Sequence, residues 1–124
     1  MFYCTKMMEH TNNMCHIGIL FFMAAPLFHP NRKEIDLASV LVALGDPVRL
    51  KIVARLAENG ESPCGALGIE MPKSTVSHHF KILREAGIVR VRLEGTSRHL
   101  SLRHDDLSAR FPGLLEAVLR AGSA

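Results

Sequence analysis

The run from Ser62 to Leu102, SPCGALGIEMPKSTVSHHFKILREAGIVRVRLEGTSRHLSL, constrains this chain more than any other stretch. It reads as a short helix announced by Ser62-Pro63, a turn at Met71-Pro72, a longer helix, and a hairpin. The longer helix begins near Pro72 to Ser74 and ends at Ala86-Gly87. Val76, Phe80 and Leu83 form its inward stripe, which leaves Ser74, Thr75, Ser77, His78 and Lys81 on the polar side. Ile88, Val89, Val91 and Leu93 lead to a tip at Glu94-Gly95-Thr96, and Ser97 to Leu102 returns. From Lys73 to Arg103 there are seven basic side chains (Lys73, Lys81, Arg84, Arg90, Arg92, Arg98, Arg103) against two acidic ones (Glu85, Glu94). That local balance is +5, while the whole chain carries +3. Positive charge gathered on one motif is the footprint of a polyanionic partner.

The flanking segments read as helices. Ile35 to Leu44 places Leu37, Leu41 and Leu44 at i, i+4 and i+7, with Ala38, Val40 and Val42 on the other sides. A helix apolar nearly all round needs burial on more than one side, and in a short chain a subunit interface is the natural second surface. Asp46 and Pro47 supply an N-cap and a first-turn proline for a helix running to about Glu58, closed at Asn59-Gly60 in a left-handed conformation. Its stripe is Leu50, Val53, Ala54 and Ala57, widened by Ile52 and Leu56. Asp105 or Asp106 can cap a last helix to about Arg120, with a seam of Leu107, Phe111, Leu114, Leu115, Val118 and Leu119, and Pro112 inside it marks either a break or a helix that starts near Phe111.

One domain fits 124 residues, here taken as 31–124, preceded by an apolar, Met-rich tail over 1–30. The apolar run Ile17 to Phe28 is twelve residues, short of the roughly 20 that span a bilayer. It shares its character with the core of a secretory signal, but Glu9 and Thr11-Asn12-Asn13 precede it. A start at Met23 is the other reading of this region. Cys4, Cys15 and Cys64 have no paired spacing, so no disulfide scaffold is expected and a reducing cytoplasm is the expected setting. No Gly-rich phosphate loop, nucleophile elbow or carboxylate pair is found, and no catalytic residue or cofactor is assigned.

Helix, turn, helix and basic hairpin, in that order, make a winged helix-turn-helix: a mainly α fold with a small β-hairpin. ALGDPVRLKIVARL, then STVSHHFKILREAGIV, then RVRLEGTSRHLSL resembles the ArsR/SmtB family of winged-helix repressors, over roughly Ile35 to Arg120. The resemblance implies a homodimer, built through the first and last helices, that sits on a palindromic operator in double-stranded DNA and leaves when an inducer binds. Metal-sensing members often carry Cys-x-Cys at the start of the motif's first helix. Pro63 and Gly65 stand at those places here, with Cys64 between them. The family's other site, on the last helix, would find His104, Asp105, Asp106 and Glu116 but no later His. No metal is assigned, since three or four converging ligands are needed.

The expected DNA-binding residues are Lys73, Ser74, Thr75, Ser77, His78, Lys81 and Arg98. Lys73, Ser77 and Lys81 suit phosphates, Thr75 and His78 suit base edges, and Arg98 suits the backbone or minor groove. His79 points inward and reads as a packing histidine, and Arg90 and Arg92 as exposed strand charges. His29 and His104 read as surface residues. Cys64, at a helix start where the dipole lowers a thiol pKa, is either a small half-buried residue or a thiol sensor. Cys4, His10, Cys15 and His16 match no metal spacing. The alternatives are a winged-helix module that binds protein, or a thiol- or metal-responsive form of the same repressor. The basic wing and polar helix face count against a protein partner, whose site would show more exposed apolar area.

Overall fold

The computed structural model describes residues 27–122. Among the described residues the chain forms five α-helices and a small antiparallel sheet: α1 (Leu37–Leu44), α2 (Pro47–Asn59), β1 (Ser62–Pro63), α3 (Lys73–Glu85), β2 (Val89–Glu94), β3 (Ser97–Leu102), α4 (His104–Arg110) and α5 (Leu114–Gly122). Turns of 3-10 helix precede α1 (Arg32–Glu34) and follow β1 (Cys64–Leu67). The readings of Cys4, His10, Cys15, His16 and the run Ile17 to Pro26 lie outside the described residues.

Helix α1 starts two residues later than the spacing predicts. Asp36 is its N-cap, with the carboxylate accepting from the Ser39 amide at 3.0 Å and the Ser39 hydroxyl at 3.1 Å. Ile35 just before the cap and Val40 in the next turn are both buried in the core, the positions of a hydrophobic staple. Burial of both residues against distant parts of the core sets the helix's rotation. Val40, Ala43 and Leu44 face inward, whereas Leu37, Leu41 and Val42 remain 44%, 48% and 69% exposed. The expected Leu37–Leu41–Leu44 stripe is therefore split, because an all-apolar helix carries no period to choose its inner face.

Helix α2 begins as expected: the Asp46 carboxylate accepts from the Val48 and Arg49 amides at 2.9 and 3.1 Å, and Pro47 opens the first turn. Ile52, Val53 and Leu56 are fully buried, and α2 packs against α1, α3, α5 and β3. Gly60 closes it at φ 76°, ψ −160°, an extended conformation reserved for glycine rather than the left-handed one expected.

Ser62-Pro63 supplies no side-chain cap, although Pro63 stands at the N-cap of the 3-10 turn that follows. The pair is an edge strand pairing with β3, with Ser62 opposite Leu100 and Pro63 opposite His99, so the sheet has the order β1-β3-β2. An edge tolerates a proline, which has no N–H to give. Only four residues separate this strand from Gly68, so the expected short helix forms as 3-10. Strands β2 and β3 pair from Val89 opposite Leu102 to Glu94 opposite Ser97, leaving Gly95-Thr96 as a two-residue turn. Val89 and Val91 point into the core while Arg90 and Arg92 point out. Gly87 joins α3 to β2 at φ 88°, where a Cβ would lie 2.6 Å from the Ile35 side chain.

The last helix is two helices, broken at Phe111–Gly113 around Pro112. Arg103, not an aspartate, stands at the N-cap of α4, and both aspartates lie in the first turn. Asp106 instead gathers arginines: Arg32 at 2.8 Å, buried Arg103 at 2.9 Å and Arg90 at 3.6 Å. Arg103 also donates to the Pro30 carbonyl at 2.8 Å. His29 is no plain surface residue either. Its Nδ1 donates to the Leu27 carbonyl at 3.0 Å and its Nε2 accepts from the Val91 amide at 2.9 Å, which docks the leading segment on β2. Burial holds this imidazole below its usual range.

The hydrogen bond from Arg32, joined by that from Arg103, holds the Asp106 carboxyl below the ordinary carboxylate range against the opposing effect of burial. Its stabilisation is complete above the unfolded value of about 4 and is lost as pH falls through the lower folded value. Asp106→Ala, which strands buried Arg103, is expected to cost about 3 kcal/mol in urea unfolding at neutral pH and to flatten the acid side of the stability profile.

Candidate nucleic-acid interface

Helix α3 presents the residues singled out in the sequence. No side chain caps its N-terminus at Pro72. Phe80 and Leu83 are buried and Val76 is half-buried, so the expected inner stripe is the observed one. Lys73, Ser74, Ser77, His78 and Lys81 are exposed, and Thr75 is half-exposed. Arg98 lies exposed on β3 just past the tip of the hairpin. Between the hairpin tip, α3 and the 3-10 helix runs a cleft of about 770 Å³. Lys73, Ser77 and Arg98 line it over a floor that includes Val76 and Phe80. A smaller cavity alongside brings Lys81 and Ser77 to the same Arg98. Four of the seven expected residues thus converge on the groove between helix and wing. Ser74, Thr75 and His78 line neither cavity.

Charge sorts the same residues. Arg92 is paired with Glu61 through two hydrogen bonds of 3.0 Å, and with Glu94 at 3.3 Å. Arg90 and Arg103 share Asp106. Arg84 donates to the Phe28 carbonyl. Lys73, Lys81 and Arg98 enter no ion pair among the described residues. The +5 balance of the linear segment is therefore local bookkeeping only. Glu61 and Asp106, from outside the segment, pair with Arg92, Arg90 and Arg103, so that of this segment's cations Lys73, Lys81 and Arg98 on the groove, with Arg84 on a backbone carbonyl, form no ion pair among the described residues.

Cys64 does not sit at an α-helix start. It lies half-buried on the 3-10 turn, where burial pushes its thiol above the usual range despite the charge of Arg98. His79 is buried as expected, and its Nδ1 lies 3.1 Å from Arg49 Nη1 and 4.0 Å from Asp46. A guanidinium only donates, so Nδ1 is the acceptor in the Arg49 contact. Arg49 went unnoticed in the sequence. Its signal is a cation in the first turn of α2, where the helix dipole disfavours one. His104 is exposed and pairs with Glu116 at 3.0 Å. Among the described residues no three His, Cys, Asp or Glu side chains are grouped to hold a metal ion.

Known proteins share this arrangement. A helix-turn-helix domain model matches residues 44–92, from the end of α1 to the outgoing strand of the wing. An uncharacterised HTH-type transcriptional regulator of Bacillus subtilis, YceK, is 39% identical over 84 residues, covering 65% of this chain and 84% of that protein. The crystal structure of the transcriptional repressor BigR from Xylella fastidiosa superposes with a TM-score of 0.55 at 32% identity, over 68% of this chain and 84% of that one. An ArsR family transcriptional regulator of known structure shares the fold, with a TM-score of 0.56 at 24% identity over 65% of this chain and 90% of its own. With recognition helix, three-stranded wing and regulator relatives in agreement, the chain belongs to the ArsR family of winged helix-turn-helix transcriptional regulators.

Proposed function

We propose that this chain works as a homodimeric, sequence-specific repressor that holds a palindromic operator in double-stranded DNA and is released by a signal. The observation that carries the reading is the trio of unpaired cations, Lys73, Lys81 and Arg98, around the groove between α3 and the wing. Lys73, Ser77 and Lys81 take phosphates, and the side-chain-free N-terminus of α3 suits another. Ser74, Thr75 and His78 face the major groove, and Arg98 reaches the backbone or minor groove from the wing. Such a regulator works in the cytoplasm. No described helix is long and apolar enough to cross a membrane.

Dimerisation through the first and last helices is supported by the exposed Leu37, Leu41 and Val42 of α1. Leu115, on the expected seam of the last helix, is only 3% exposed within one protomer and belongs to its own core. The half-buried Leu114, Val118 and Leu119 are the better contribution from α5. Two-fold symmetry sets the recognition helices in successive major grooves about 34 Å apart. The raised Cys64 thiol favours a packing role over a thiolate sensor.

The test is binding to DNA upstream of the protein's own coding region, titrated against random DNA at two salt concentrations. Tight, competitor-resistant binding is expected; equal, salt-erased binding to both would overturn the reading. His78→Ala should weaken the specific complex by about 1–3 kcal/mol and spare random DNA, whereas Lys81→Ala should weaken both and lower the salt slope by about 1. Leu41→Glu should sediment as a folded monomer, and a surviving dimer would place the interface elsewhere. Cys64→Ala should leave operator binding and its release unchanged under oxidant, and an altered response would restore the thiol sensor.

A further inference from the structure

Three helices meet at one guanidinium. Arg49 sits in the first turn of α2, where its charge opposes the helix dipole, so its gain comes from elsewhere. Its Nε donates to the Ala43 carbonyl at 2.6 Å and its Nη2 to Val42 at 3.4 Å, both at the C-terminal end of α1, where a cation is favoured. Its Nη1 donates to Nδ1 of His79, buried on α3. The planar fork thus holds α1 and α3 at fixed directions from α2, which a flexible ammonium cannot do. Apolar packing joins α1 and α3 where Val40, Ala43, Leu44, Phe80 and Leu83 share the core, but not along the whole of their length. An open groove of about 300 Å³, lined by Ala38, Ser39, Val42, Ile82, Glu85 and Ala86, separates part of α1 from α3.

We propose that Arg49, acting through His79, is a positioning residue for operator recognition: it fixes the angle between the dimer helix α1 and the recognition helix α3. His78, the next residue along, presents the base-reading side chain, so a rotation about His79 displaces it directly. In a two-fold dimer an angular error in each protomer changes the separation of the two recognition helices. The cost therefore falls on the two-armed site and not on a single arm. This inference rests on the dimeric reading given above.

The test compares His79→Leu, which removes the acceptor, with His79→Asn, whose Oδ1 retains one near the place of Nδ1. The DNA is a palindrome selected from a random pool by the wild-type protein, and the same duplex with one arm scrambled. The Leu variant is expected to lose on the order of tenfold on the palindrome, to keep wild-type affinity for the one-armed duplex, and to be penalised less than wild type by one added base pair between the arms. The Asn variant should match wild type on all three. Palindrome affinity retained by the Leu variant, equal loss on both duplexes, or failure of the Asn variant alongside Leu would overturn the proposal. If circular dichroism shows that His79→Leu does not fold, Arg49→Lys takes its place, with the same loss expected on the palindrome alone. Wild-type protein that prefers the palindrome no more than the one-armed duplex overturns the dimeric reading, and the proposal with it.

Discussion

Burial of one face of α2 is the constraint on which the other elements depend. Ile52, Val53 and Leu56 lie at 0–1% exposure with α1, α3, α5 and β3 packed around them. At about 2 kcal/mol for each fully buried aliphatic side chain, these three residues contribute about 6 kcal/mol, an amount on the scale of a domain's net stability. They also leave the polar half of α3 on the outside. Once Phe80 and Leu83 are directed toward this core, Ser74, Ser77, His78 and Lys81 have nowhere to go but solvent.

Electrostatics then divides the basic residues into two populations. Arginines that serve the fold find acids or carbonyls: Arg103 and Arg32 on Asp106, Arg92 on Glu61, Arg110 on the Ile35 carbonyl, Arg55 on the Leu67 carbonyl. Cations that would serve a polyanion are left without partners on the groove. This division matters for binding, because a cation already paired with a carboxylate brings little net charge to a phosphate. Arg49 belongs to the first population, yet its partners lie on the helix that would meet a second subunit and on the helix that would meet DNA.

Much of the fold was legible in the chain, for local reasons. Asp46-Pro47 opens α2 through contacts within three residues. The inner stripe of α3 follows from its period, the hairpin from the alternation of Val89 and Val91 with Arg90 and Arg92, and the break in the last helix from Pro112. The groove residues were legible as a set because a polar helix face and a basic wing each show in sequence. Errors fell where a distant partner overrides a local signal. Ser62-Pro63 carries a helix-start signature, but β3 offers it a strand to pair with. Asp106 looks like a cap, but three arginines from separate segments claim its carboxylate.

The sequence by itself determined the order of the main helices and the hairpin, and the rotation of α3, since each depends on residues within a few positions of one another. Only the tertiary structure decided which face of α1 is left uncovered, which cations stay unpaired, and that Arg49 and His79 meet. Those outcomes depend on contacts between residues about thirty or more positions apart, such as Arg49 with His79 and Glu61 with Arg92. No local period or propensity encodes such contacts; they exist only after the core has closed.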